Sequence, residues 1–468
     1  MRYSKTLQQR ASDLVDSALL AVFRIRTRGF LKMENAPGEV PAVPKTGTTS
    51  LYLHVPFCES LCPFCSFHRV QHDRALAKTY FRNLREEVRR YHAAGFKFGS
   101  AYFGGGTPTC DPAELVKTVE LVGDLFGVRE ISVETNPRHL RNEILEPLRE
   151  AGVTRLSVGV QSFDDDLLRQ MDRFEKYGSG HEAAEHIQRA ASMFPTLNVD
   201  LIFNQPQQTE ASLEYDLQMF RSTGANQVSL YPLMMSPSIR NRMIESTGLP
   251  NRQHLHELYR LIVNRLTPEF EATSAWCFTR RGNAGDEYIV DADNYVGVGS
   301  GAFSYLDGVL YATTFCLKTY EQLVEEGLTG ITVRSRLSRA NQIRYALLVK
   351  MFGLRLERSW AIKRFGQSFF RTVWGELRTL EWLGAAKRDE DGWQLTDRGM
   401  YWLVLMMSAF FESVAKYREA MRAHIPEEKV ASHPSTVNRR PVVFADNTIV
   451  FRDTCQTDPA RLSSSRVE

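Results

Sequence analysis

Three of the seven cysteines in this 468-residue chain, Cys58, Cys62 and Cys65, fall within eight positions. Spacings of four and three let three thiolates hold three corners of a cubic iron–sulfur cluster, whereas an electron-transfer cluster takes four cysteines. The fourth iron would then keep an open coordination position, as a catalytic zinc keeps one for its substrate. A structural zinc on the same thiols, with His54 or His68 as fourth ligand, is the alternative that the spacing leaves open. Cys110, Cys277, Cys316 and Cys455 are scattered and read as small buried hydrophobes or as incidental. Only Cys110 stands apart, because it follows a glycine-rich loop.

A second set of residues follows the cysteines along the chain. Gly104-Gly105-Gly106-Thr107-Pro108-Thr109 begins where a strand-like run ends. Three glycines allow backbone shapes closed to other residues and let main-chain amides approach a ligand, although alone the run reads as a tight turn. Glu134, Gln161 and Asp200 lie at or near the C-terminal ends of successive strand-like runs, and Arg173 opens the segment after the fourth. Singly, each reads as a strand-end cap or a surface ion pair. Together they offer carboxylates for an amine or a ribose and a guanidinium for a carboxylate. S-adenosylmethionine carries all of these groups.

The elements that must position these residues alternate in type. β-branched and aromatic runs at 50–55, 100–103, 130–134, 155–160, 198–203 and 227–231 are separated by segments of helical period at 76–94, 112–126, 141–151 and 182–193. That βα alternation predicts a parallel sheet, most economically an α/β fold with a partial (β/α)6 TIM-like barrel. Cys58 then falls in the first βα loop, on the face where such barrels carry their active sites. The expected divisions are an N-terminal helix and linker over 1–48, a core barrel over 49–235 and an α+β extension over 236–336. A C-terminal winged-helix-like domain over 337–425 and a disordered tail over 426–468 complete the chain.

Composition limits the partners. Lys plus Arg number 58 and Asp plus Glu 55, a net charge of +3, too balanced to argue for nucleic acid from bulk charge. Mixed charge in the winged-helix-like segment favours a packing or lid role over DNA binding. No apolar stretch reaches the roughly 20 residues needed to span a bilayer. The N-terminal segment lacks a small-residue cleavage site, so the expected compartment is a reducing cytoplasm. Aromatics such as Trp276, Phe278, Tyr288, Tyr295 and Tyr305 read as core rather than site.

The strings YLHVPFCESLCPFCSF, GGGTPT, VETNP, LSVGVQSF, NVDLIFNQPQQT and GVGSGAFSYLDG, spread over residues 50 to 308, resemble a known family. It is that of the radical S-adenosylmethionine enzymes, specifically the oxygen-independent coproporphyrinogen III oxidases with their haem-chaperone, methyltransferase and cyclopropanating relatives. The resemblance implies that Cys58, Cys62 and Cys65 bind a [4Fe-4S] cluster. It implies S-adenosylmethionine contacts from Tyr52, Phe64, Gly105, Gly106, Thr107, Glu134, Gln161, Arg173, Asp200 and Phe303, with room for a second molecule. The implied chemistry is reductive cleavage of S-adenosylmethionine to a 5′-deoxyadenosyl radical that attacks a tetrapyrrole or another organic substrate. An electron donor such as flavodoxin or ferredoxin is implied too. Two positions depart from the family: Phe67 stands where coproporphyrinogen oxidases carry a fourth cysteine, and the stretch from Gly285 to Tyr295 lacks the haem chaperones' His-Asn and Tyr-Trp pairs. A haem-binding chaperone without turnover and a true coproporphyrinogen III dehydrogenase are the alternative readings.

Overall fold

The structure is a computed structural model that describes residues 7–27, 29–250, 252–283 and 292–422. Six parallel strands form its centre in chain order: β1 (Thr49–Val55), β2 (Ser100–Gly105), β3 (Glu130–Thr135), β4 (Arg155–Gln161), β5 (Thr196–Phe203) and β6 (Gln227–Pro232). The helices α1 (Arg74–Ala93), α2 (Pro112–Phe126), α3 (Asn142–Glu150), α4 (Gly180–Ala190), α5 (Glu210–Ser222) and α6 (Arg252–Leu266) follow the strands in turn. Strands covered on both faces tend to be mostly apolar, and β1 buries every residue but Tyr52, including the polar Thr49, Ser50 and His54. Helix starts are set by local caps. Asp73 accepts from the Leu76 amide, Asp111 precedes Pro112, and Ser179 with Glu182 makes a capping box.

β1 and β6 do not pair, so the parallel run is an open partial barrel, and the sheet grows outward from both of its edges. Beyond β6 lie β7 (Cys277–Arg280) and then Phe270–Ala272, both antiparallel. Beyond β1, β8 (Asn294–Val298) adds in parallel, followed by the antiparallel strands β9 (Phe303–Leu306), β10 (Val309–Thr313) and β11 (Ile331–Arg336). The strands expected as an attached extension therefore continue the barrel's own sheet, because an open barrel leaves two edges whose amides need partners. The expected linker also contributes: Glu34–Asn35 pairs with Val333 and Arg334 at the far edge. Among the described residues, thirteen strands share this sheet.

The C-terminal segment contains the helices Arg339–Phe352, Arg358–Phe365 and Ser368–Trp382 and a three-stranded sheet of Arg355–Glu357, Gly392–Leu395 and Ala386–Arg388. The first of these strands is three residues long, too short to register as alternation in the sequence. The closing helix, Asp397–Arg422, joins the modules. Tyr401 and Trp402 donate to the Asp16 carboxylate of the N-terminal helix Leu7–Thr27, at 3.2 and 3.0 Å. No helix among the described residues is long and apolar enough to cross a membrane. The expected tail, Cys455, Tyr288 and most of the Gly285 to Tyr295 stretch lie outside the described residues.

One buried carboxylate ties the extension to the barrel. Glu87 of α1 accepts from the amides of Gly299 and Gly330 at 2.9 and 2.7 Å and from the Tyr320 hydroxyl at 2.7 Å. Removal from water raises its pKa, and these three donors act against that rise. Glu87→Ala strands three buried donors. Urea unfolding of the apo protein is expected to show a loss of about 3 kcal/mol, and a loss below about 1 kcal/mol would contradict this anchoring role.

Candidate functional site

The cysteine segment is a closed excursion. Its two ends, Phe57–Cys58 and Val70–Gln71, pair as a short parallel ladder, with Val70 N–H donating to Pro56 O at 2.7 Å and His72 N–H to Cys58 O at 2.9 Å. Cys58 lies on the ladder itself and Cys62 and Cys65 on the loop between its ends, all three thiols free. Cys58 and Cys62 are buried and Cys65 is half-buried. Arg69 draws the turn together by donating from Nη2 to the carbonyls of Cys62 and Cys65, the latter at 3.1 Å.

The glycine loop supports this excursion from below. Gly106 N–H donates to Val55 O at 2.8 Å and Thr107 N–H to Phe57 O at 2.7 Å, while Thr107 Oγ1 donates to Cys58 Sγ at 3.6 Å. A Cβ at Gly106 would stand 2.6 Å from the Phe57 carbonyl oxygen. The Gly105 amide donates to Glu134 at 2.9 Å, so its partner here is a carboxylate of the protein. This close approach is what the three glycines permit.

Glu134 is gripped on both oxygens, by Tyr102 OH at 2.9 Å as well as by Gly105. Removal from water raises its carboxyl to about 7 despite those two donors. Asp200 accepts from Ser157 Oγ and Asn198 Nδ2, each at 2.8 Å, and burial raises it to about 6. Gln161 closes β4 with φ at 79°, in the left-handed region, at a bulge against β5. Such strain is held by its surroundings. Asp216 of α5 accepts from Ser162 Oγ at 2.9 Å and from Phe163 N–H at 2.5 Å, fixing the loop just beyond Gln161.

Arg173 joins β4 to the cysteine loop. Its Nη2 donates to Gly159 O at 2.6 Å, its Nη1 lies 3.3 Å from Cys62 Sγ, and the guanidinium stacks over Tyr177. Phe64 is half-buried on the loop itself. Phe303 opens β9, where its ring packs on Phe315 and Tyr417 beneath Arg418. The structure thus places the cysteines, Gly105, Gly106, Thr107, Glu134 and Arg173 in one hydrogen-bonded neighbourhood. Gln161 on β4 and Asp200 on β5 sit one and two strands beyond Glu134, and Phe303 lies across the β8–β9 side.

Tyr52 leads into a buried chain that the sequence pattern does not reveal. Its hydroxyl is 3.1 Å from His54 Nδ1, His54 Nε2 is 2.9 Å from His68 O, and His68 Nε2 is 3.1 Å from Ser300 Oγ. A carbonyl can only accept, so His54 carries its proton on Nε2 and accepts from Tyr52 on Nδ1. Burial lowers the His54 pKa to about 4, keeping it neutral. Both of its nitrogens are engaged, so His54 does not supply a fourth zinc ligand. Signals for Tyr102, His54, His68 and Arg69 were thin, since each is one polar residue in an apolar run or a loop. Cys110 Sγ contacts Phe57 O at 3.8 Å, and burial raises its thiol pKa. Trp276, Phe278 and Tyr305 are buried, as core residues should be.

The donor set suits an anionic group that is bound through sulfur. Three free thiols share one loop, and the buried Nε atoms of Arg69 on one side and Arg173 on the other have no hydrogen-bond partner. Burial works to lower the Arg69 pKa, but the charges of Cys65, Cys58 and Cys62 outweigh it and raise the value. Guanidinium nitrogens enclosed without an acceptor call for negative charge beside them. A thiolate-bound iron–sulfur cluster and an amino-acid carboxylate both bring it.

Residues 52–220 match the sequence profile of the Radical SAM superfamily. The chain is 27% identical over 370 residues to the heme chaperone HemW of Bacillus subtilis, covering 75% of this chain and 96% of that protein. It is also 27% identical over 378 residues to the oxygen-independent coproporphyrinogen III oxidase of Escherichia coli, covering 75% and 82%. The solved Escherichia coli coproporphyrinogen III oxidase HemN, described as a Radical SAM enzyme, superimposes with a TM-score of 0.65 at 25% identity over 78% of this chain and 90% of its own.

Gly106→Ala is expected to push the Phe57–Cys58 backbone outward and expose a buried thiol. The reaction of Cys58 with a disulfide reagent in the apo protein should then quicken several-fold. An unchanged rate, with circular dichroism intact, would show that the close approach is dispensable.

Proposed function

We propose that this chain, which carries a Radical SAM domain related to HemN and HemW, is a radical S-adenosylmethionine enzyme acting on a tetrapyrrole or another extended organic substrate. The observation that carries the reading is the convergence of three free thiols with two under-satisfied guanidiniums at the mouth of the parallel strands. Cys58, Cys62 and Cys65 would hold the [4Fe-4S] cluster. When bound, the cluster and S-adenosylmethionine together supply a one-electron cleavage that yields a 5′-deoxyadenosyl radical and methionine.

The chain's own part is to bind and orient. Arg173, with Nε still unpaired, suits the methionine carboxylate. Glu134 and Asp200, each pre-held by neutral donors, suit an ammonium or the ribose hydroxyls, and Gln161 is aimed by its strained backbone. Tyr52, Phe64, Gly105, Gly106, Thr107 and Phe303 complete the proposed contacts, Phe303 through its backbone because its ring is packed on Phe315 and Tyr417. In this reading, residues 49–235 carry the cofactor chemistry, 236–336 build the second wall and 337–425 pack against both. Free thiols of this kind suit a reducing cytoplasm and a donor such as flavodoxin or ferredoxin.

Anaerobic reconstitution with iron and sulfide, then dithionite and S-adenosylmethionine, is expected to release 5′-deoxyadenosine or a methylated product. Cys62→Ala should abolish it. A fully loaded protein that releases neither product would overturn the enzyme reading. A pH test follows from Glu134. Its carboxyl titrates near 7, so it is largely protonated below that and cannot pair with an ammonium group. Affinity for S-adenosylmethionine is expected to fall by up to about tenfold per unit as pH drops from 7 to 5. The dependence should flatten in Glu134→Gln, and a wild-type affinity independent of pH would remove Glu134 from the ammonium contact.

The likeness to HemW over 96% of that protein's length favours a second reading, haem handling without turnover. Spectral titration with haem separates the two. Stoichiometric binding with no cofactor cleavage supports the chaperone, and cleavage without haem binding supports the enzyme.

A further inference from the structure

The cysteine loop contains one cation that none of the proposed cofactor contacts uses. Arg69 follows Cys65 by four positions, and its Nη2 donates to the carbonyls of Cys62 and Cys65. These are the backbone groups of two of the three proposed cluster ligands. Its Nε is enclosed and lacks an acceptor. The Arg69 backbone is held in turn, since its carbonyl accepts from Arg422 Nη2 on the closing helix at 3.4 Å. The neighbouring carbonyl of Pro63 accepts from Arg242 Nη1 at 3.0 Å.

We infer that Arg69 is a positioning residue that sets the reduction potential of the cluster, by fixing the Cys62–Cys65 turn and by holding a partly buried positive charge beside the thiolates. The inference rests on the reading that Cys58, Cys62 and Cys65 bind the cluster. The physical argument is electrostatic. Reduction adds one negative charge to an already anionic group, and a nearby guanidinium stabilises the more negative state. Partial enclosure makes that charge count for more than it would in water. The fork geometry matters separately, because a guanidinium can grip two carbonyls while its remaining N–H groups face the sulfurs.

The test compares wild type, Arg69→Gln and Arg69→Lys in the reconstituted full chain. Iron and sulfide contents are measured, and the cluster is titrated redoxically under electron paramagnetic resonance. Arg69→Gln is expected to lower the equilibrium constant for reduction about tenfold, which for a one-electron couple is about 59 mV. Arg69→Lys keeps the charge and loses the fork, so its loaded fraction should titrate close to wild type while total iron falls. Arg371→Gln, an exposed site on the helix Ser368–Trp382, should match wild type in both measurements. If Arg69→Gln loads to the wild-type level and titrates at the wild-type potential, the inference fails. It also fails if Gln and Lys lose iron equally and neither alters the potential of what remains, since Arg69 would then be only a scaffold. A wild-type chain that takes up no iron and sulfide would overturn the cluster reading, and this inference with it.

Discussion

The short parallel ladder between Phe57–Cys58 and Val70–Gln71 is the constraint on which the rest of the site depends. It turns the residues between into a loop whose ends cannot separate, and it sets that loop directly on the C-terminal end of β1. A loop anchored at one end only would sample many cysteine arrangements, and any group bound by the thiols would have to offset the backbone entropy lost in selecting one. Here Thr107 N–H clasps the carbonyl of Phe57, and Gly106 lies so close that a side chain there would dislodge it. The second strand therefore braces the product of the first.

Around that base the molecule uses buried carboxylates as connectors. Glu87 links α1 to the β8–β9 turn and the approach to β11, Asp216 links α5 to the loop after β4, and Glu134 links β3 to the end of β2. In each case the acceptor is met by main-chain amides and hydroxyls. Uncharged partners leave the carboxyl pKa raised by removal from water, to about 7 for both Asp216 and Glu134. For Glu134 that leaves room for a cationic ligand to lower the value on binding, which an existing Lys or Arg partner would have forestalled.

Phe67 ties the cysteine loop to the closing helix. Its ring is half-exposed, and Arg418 of the closing helix lies 5.0 Å over it and 5.5 Å over Phe303. Such stacking brings the end of a helix more than 300 residues distant in sequence onto the rim of the site, with Arg422 reaching the Arg69 carbonyl. The closing helix thus belongs to the site as much as to the C-terminal module.

Much was legible before folding. The strand positions, the helix Pro112–Phe126 and the helix Arg252–Leu266 follow from periodicity and capping, which are local properties. The cysteine spacing, the glycine run and the strand-end Glu134 and Gln161 are likewise set by near neighbours in the chain. Other features depend on residues that meet only after the chain has closed on itself. Whether the extension stands apart or prolongs the barrel's sheet is decided by the β1 edge, which has no partner until β8 arrives. The proton position on His54 depends on a carbonyl fourteen residues away and a hydroxyl on the same strand. The polarity of the glycine loop is also tertiary, because its Gly105 amide turns to Glu134 only once β3 lies alongside. The sequence by itself determined which atoms could do chemistry and in what order they come. The tertiary structure decided which of them face one another, because hydrogen-bond geometry and burial exist only between groups that packing has brought together.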